Sequence, residues 1–146
     1  MSYWDTSALA KLYVREPDSL LFRSHAAALG IPPVTAEITI LELRRVAFGK
    51  EAAELIQPGA AEAILEDLQA DVDEGNIDVV EQSRAVMKEF DQAMAVCYRQ
   101  APTLPLRTLD ALHLATARVA GQTEFVATDQ RLRQAAKLLG FTLFPG

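Results

Sequence analysis

The sequence predicts an α/β fold in three layers, α/β/α, with a central, mostly parallel sheet. Three observations carry this expectation. Short apolar runs alternate with longer amphipathic segments along the chain. Such alternation calls for crossover connections, which set neighbouring strands parallel and put helices on both faces. Gly or Pro punctuates many of the changes of segment, as at Pro58-Gly59, Gly75-Asn76, Gly121 and Gly140. Half of the 146 residues are hydrophobic and 23% are charged, which suits one core in a single domain over 1–146.

The elements follow in order. Ser2–Trp4 forms a short first strand, and a helix starts near Ser7 and reaches Tyr13. Glu16-Pro17-Asp18 breaks it, and Asp18 or Ser19 caps a second helix ending near Leu29-Gly30. Ile31–Thr35 is a strand candidate that Pro32 and Pro33 oppose, since each removes a backbone donor. A helix fits Glu37–Phe48 with Gly49 as its stop, and Ala60–Glu74 is a second helical run. Ile77–Val80 reads as a strand and Ser83–Arg99 as a helix, before a segment that carries Pro102 and Pro105. Thr108 is expected to cap a helix through Ala120. Phe125–Ala127 is a strand, Gln130–Leu139 a helix and Thr142–Phe144 the last strand.

Composition excludes several chemistries. A lone cysteine, Cys97, cannot make an intramolecular disulfide, and with only His25 and His113 it leaves no Cys/His zinc cluster. The net charge of −6 opposes a long basic surface for nucleic acid. It does not oppose an acidic centre, because bound divalent cations invert the local sign and create a phosphate site. Met-Ser-Tyr-Trp-Asp is not a charged leader before an apolar run, and no stretch approaches the roughly 20 apolar residues of a membrane helix. The expectation is a cytoplasmic protein with no membrane contact.

Four carboxylates stand out by position. Asp5 ends the first strand and Asp129 follows a later one; ligands gather beyond the carboxyl ends of parallel strands. The ordinary explanation for both is helix capping. Glu42 shares a helical stripe with Ile38 and Val46, where a carboxylate is costly unless paired with Arg44 or Arg45 or bound to metal. Asp110 falls in a first helical turn, where the helix dipole already favours an acid; the same holds for Glu37, a weaker candidate. His113, three residues on from Asp110, is expected to be packed or half-exposed rather than functional. Ser7 and Thr128 fit helix-start capping, though each can also reach a carboxylate or substrate. His25 and Cys97 have no companions and are assigned no chemistry.

Taken together, Asp5-Thr6-Ser7-Ala8-Leu9, Leu41-Glu42-Leu43-Arg44, Leu109-Asp110-Ala111-Leu112-His113-Leu114-Ala115 and Thr128-Asp129 resemble, in order and spacing, the four signature segments of PIN domains of the VapC toxin type. No one segment is specific; the ordered set is. The resemblance covers the whole chain. It implies Mg²⁺- or Mn²⁺-dependent cleavage of RNA at an acidic pocket of Asp5, Glu42, Asp110 and Asp129. It also implies homodimers and a partner antitoxin.

The physical logic agrees. Clustered carboxylates repel one another, and a hard divalent cation relieves that repulsion. Mg²⁺ keeps several waters, so one or two acids suffice as direct ligands; Asp5 and Asp110 are the expected pair, and Asp129 and Glu42 are expected to complete a second site, bind through water, or position the attacking water. Lys11, Arg15, Arg44, Arg45, Arg131 and Arg133 are expected to form a basic rim for substrate, or else to be solvated side chains. Two other acid-based enzyme classes fit less well. A dehalogenase-like phosphatase needs a second Asp where Ser7 stands, and a receiver domain needs a late lysine where Thr128-Asp129 stands. The alternative of another kind is a binding module on the same fold, its acids serving as caps and salt bridges.

Overall fold

In the computed structural model, which describes Met1–Gly146, five three-residue strands form one fully parallel sheet. The elements run β1 Ser2–Trp4, α1 Thr6–Tyr13, α2 Ser19–Leu29, β2 Val34–Ala36, α3 Glu37–Ala52, α4 Ala60–Asp73, β3 Asp78–Val80, α5 Arg84–Tyr98, α6 Thr108–Val119, β4 Glu124–Val126, α7 Gln130–Leu138 and β5 Thr142–Phe144. The strand order is β3-β2-β1-β4-β5, with Tyr3 opposite Val34 on one side and Phe125 on the other.

Period-two alternation explains the layers. Tyr3 and Phe125 point into one apolar cluster with Leu106, Leu114 and Leu132, contributed by α6, its approach and α7. Trp4 and Val126 point the other way, against Leu9, Phe22, Leu43 and Leu68 of α1 to α4. Both large rings of β1 are fully buried. Tyr3 stacks on Phe125 at 5.1 Å, and Trp4 meets Phe22 edge-on at 6.3 Å. The sheet thus has a helical layer on each side, as the sequence predicts. No helix is long and apolar enough to cross a membrane.

Three expectations need correction. The second strand lies at Val34–Ala36, later than Ile31–Thr35. The two prolines sit before it, and Pro33 joins the ladder only through its carbonyl, which accepts from Asp78 N–H at 2.9 Å. α3 runs through Gly49 to Ala52. A mid-helix glycine costs about 1 kcal/mol relative to alanine. Burial of Ala47 and the Lys50–Glu16 ion pair at 3.1 Å act across that point. The chain turns at Glu54, whose φ is 58°. Thr108 is the first residue of α6 rather than its cap; extended Arg107 takes that place, with no capping side-chain bond.

Candidate active site

β1 is the switch point of this sheet. The chain leaves it towards β2 and β3 on one side and later returns to β4 and β5 on the other. Helices depart in opposite directions there and open a crevice beyond the strands' carboxyl ends. The Asp5 amide donates to Val126 O at 3.1 Å, which fixes Asp5 where β1 and β4 end. A cleft of about 410 Å³ lies above it, lined by Asp5, Thr6, Ser7, Lys11, Glu42, Arg45, Arg107, Asp110, His113, Thr128 and Asp129 among others. All four acids singled out from the sequence face this one cleft.

Capping and a cleft position turn out to be compatible. Asp5 caps α1 by accepting from Ala8 N–H at 2.8 Å, and the Ser7 hydroxyl lies 2.8 and 2.9 Å from its two oxygens. Ser7 also accepts from Thr128 N–H at 3.3 Å, so it ties the ends of β1 and β4 together. Asp129 caps α7 through Oδ1, which accepts from Leu132 N–H at 2.9 Å. Its Oδ2 faces the Arg107 guanidinium at 3.9 Å. Asp110 is 8% exposed, and its Oδ2 accepts from Arg107 Nε at 3.1 Å. Asp5 is 4% exposed. Burial raises its carboxyl to about 6, opposed by the His113 ring and by the hydrogen bonds from Ala8 and Ser7, and reinforced by the Glu42 charge.

Glu42 is neither unpaired nor bonded to Arg44 or Arg45. Its Oε1 accepts from the Thr6 hydroxyl at 2.7 Å and lies 2.8 Å from His113 Nε2. Half-burial pushes its carboxyl up, but the hydrogen bonds from His113 and Thr6 outweigh it and hold it below the usual glutamate value. His113 is therefore packed, as expected from sequence, yet it also lines the cleft. Sequence spacing places it on a face neighbouring Asp110 and gives no sign of Glu42 or Tyr3 as its partners. Sequence reasoning misses Arg107 altogether: it touches two of the four acids, and its only sequence signal is a cation three residues before Asp110. The basic rim is narrower than expected. Of the cations expected there, only Lys11 and Arg45 line the cleft. Lys11 is already paired with Glu16 and Asp18. Arg44 bonds Ile40 O, and Arg133 bonds Ala127 O and Pro145 O.

No three His, Cys, Asp or Glu side chains form a ready-made cage for a metal ion. The donor set still suits a hard cation that keeps most of its waters and takes one or two carboxylates. Arg107 demonstrates the fit, since one guanidinium lies within 4 Å of both Asp110 and Asp129. Asp5 must lose its proton to join such a site. Its folded value of about 6 exceeds the ordinary 3.8, so the folded chain binds that proton more tightly between these pH values. Asp5 therefore contributes stability at low pH that is lost as pH rises through about 6. Mn²⁺ affinity measured by calorimetry is expected to be level above pH 7 and to fall by up to about tenfold per pH unit below the Asp5 value. An affinity unchanged from pH 7 to pH 5 would show that no carboxyl raised to about 6 takes part in binding.

Comparison with known proteins fits this geometry. The sequence model of the PIN domain family matches residues 2–138. Ribonuclease VapC46 of Mycobacterium tuberculosis is 30% identical over 143 residues, which cover 97% of this chain and 94% of that protein. Among solved structures, FitAcB from Neisseria gonorrhoeae superposes with a TM-score of 0.71 at 15% identity, over 99% of this chain and 96% of that one. The sarcin-ricin loop cleaving toxin VapC20 of M. tuberculosis gives 0.65 at 18% identity, over 92% and 95%. At those identities the two structures speak for the fold alone. The family match and the VapC46 relationship go further: the chain belongs to the PIN domain family and resembles its VapC members.

Proposed function

We propose that this chain is a metal-dependent endoribonuclease, the toxin of a toxin-antitoxin pair, with Asp5, Glu42, Asp110 and Asp129 as its catalytic acids. The observation that carries the reading is their convergence on one cleft at the sheet's switch point, with a buried Asp5 whose carboxyl is raised by desolvation. The relationship to ribonuclease VapC46 supports it.

Asp5 and Asp110 would hold Mg²⁺ or Mn²⁺ directly, and Asp129 would complete the site through its Oδ2 or through water. Bound there, the ion supplies positive charge at the phosphate and makes water more acidic. Glu42 would take the proton of the attacking water at Oε2, since Oε1 is already engaged by Thr6 and His113. Arg45 and Arg107 would meet the phosphates on either side. Attack by water rather than by the ribose 2′-hydroxyl leaves a 5′-phosphate and a 3′-hydroxyl. The test is incubation of folded protein with RNA in Mg²⁺, in Mn²⁺ and in chelator, with end-group analysis. Metal-dependent cleavage with 5′-phosphate ends is expected; 2′,3′-cyclic phosphate ends, or equal cleavage in chelator, would overturn the mechanism.

The same cleft sets the form of inhibition. Arg107 already pairs with Asp110 and approaches Asp129, which is the contact an antitoxin arginine or lysine would make in its place. α3 and the turn after it leave Leu41, Phe48 and Leu55 exposed, apolar surface of the kind an antitoxin helix or a homodimer contact covers. Co-expression with the adjacent small open reading frame, followed by size-exclusion chromatography and the nuclease assay, is expected to yield an inactive complex. Recovery of active, uncomplexed protein despite soluble expression of that neighbour would count against an antitoxin.

A further inference from the structure

His113 is 3% exposed on a helix whose other inward residues are mostly Ala and Leu. Burying an imidazole there is costly unless both nitrogens are partnered. Both are: Nδ1 lies 2.6 Å from the Tyr3 hydroxyl and Nε2 lies 2.8 Å from Glu42 Oε1. Tyr3 is itself fixed, fully buried in β1 and stacked on Phe125. The contacts therefore form one line from the centre of the sheet to the cleft, Tyr3 to His113 to Glu42, with Thr6 as a second donor at the same carboxylate oxygen.

We propose that His113 is the positioning residue of this cleft, anchored by Tyr3 and holding Glu42 so that Oε1 is occupied and Oε2 alone meets the attacking water. The proposal rests on the nuclease reading above. Its chemistry follows from donor and acceptor capacity. A carboxylate only accepts, so the nitrogen facing Glu42 carries the proton. When the ring carries that proton alone, Nδ1 is an acceptor and the Tyr3 hydroxyl donates to it; the Nε2–H towards Glu42 is present in either charge state. Both hydrogen bonds reach Glu42 at Oε1, and none of the chain's side chains donates to Oε2. A glutamate side chain has three rotatable bonds. Two donors on one oxygen, each anchored in a different element, remove most of that freedom and leave a single oxygen in a fixed direction.

The experiment combines a mutant cycle with a spectrum. His113→Leu removes the donor at similar volume, His113→Gln restores an N–H at the place of Nε2, and Tyr3→Phe releases the ring at Nδ1. Melting curves establish that each variant is folded. His113→Leu is expected to lower kcat roughly 10²-fold, the scale of a general base out of place, with the KM for RNA changed less than about threefold. His113→Gln is expected to regain about tenfold, and Tyr3→Phe to lose about three- to tenfold, both acting through Glu42. In a Glu42→Gln background the His113→Leu change should cost less than about threefold more, because residues that act as a unit are not additive. The same factor in both backgrounds, or near-wild-type kcat in folded His113→Leu, would overturn the proposal. Should His113→Leu not fold, Tyr3→Phe takes its place in the cycle: its loss should vanish in the Glu42→Gln background, and the same factor in both backgrounds would overturn the proposal. Nitrogen-15 spectra provide a readout free of turnover: a proton on His113 Nε2 supports the proposal, and a ring without a proton on Nε2 overturns it. Asp5→Asn in the same assay separates the two levels. Cleavage that survives it ends the assignment of the reaction to these acids, and His113 is then decided by the spectrum alone.

Discussion

Replacing Asp5 or Asp110 with asparagine is expected to lower RNA cleavage roughly 10²–10³-fold, the loss that follows removal of one group acting on developing charge at a reacting centre. Glu42→Gln and Asp129→Asn should act in the same direction. The fold should survive, for reasons specific to each position. In Asp5→Asn the new side chain would still cap α1, because an amide oxygen accepts from Ala8 N–H as a carboxylate does. The change would also remove a charge that is disfavoured mainly by burial and further by Glu42, so the metal-free variant should melt at or above the wild-type temperature near pH 8. Asp110→Asn should melt close to wild type, since its partner Arg107 is 65% exposed in its side chain and a solvated guanidinium contributes little to the pair. Activity and stability would thus separate. Full cleavage by both folded variants would refute the assignment of the acids.

The second large effect concerns substrate. Arg45 and Arg107 line the cleft. The Arg107 side chain is long, exposed and held only at the acids that a cation would take over. Arg45→Glu and Arg107→Glu together should raise the RNA dissociation constant roughly 10²-fold near 0.1 M salt and flatten the log–log salt slope by about 1.5, as expected for two lost phosphate contacts on a single strand. Reversal at Arg44 and Arg131 should do less, because neither lines the cleft and Arg44 is bonded to Ile40 O. Fluorescence anisotropy across a series of salt concentrations measures both pairs. An unchanged slope in the Arg45/Arg107 variant would remove these residues from the substrate path.

The acids were legible in the sequence because their placement is local. Asp5 and Asp129 each follow a short apolar strand and open a helix, and a parallel sheet brings such ends to one edge without further information. The layers were legible because strands alternating with helices call for crossover connections over both faces of the sheet; Tyr3 and Trp4, next to each other in β1, duly point to opposite faces. The shift of β2 past Pro33 and the continuation of α3 through Gly49 were not, because backbone preferences there yield to ladder pairing and to packing. Neither was the company of His113. It stands 110 positions from Tyr3 and 71 from Glu42, and only tertiary packing brings their oxygens to 2.6 and 2.8 Å from its ring. Arg107 escaped notice for a related reason: a flexible side chain at a helix start reaches Asp129 only because α6 and α7 begin at the same cleft.

Anomalous scattering from Mn²⁺ in soaked crystals tests most directly whether the acidic cleft holds a divalent ion between Asp5 and Asp110. The expected result is a manganese peak in the cleft in direct contact with Asp5 and Asp110 oxygens, and with Arg107 turned from Asp110. A cleft without manganese at a concentration that supports cleavage, or a peak held by other residues, would contradict it.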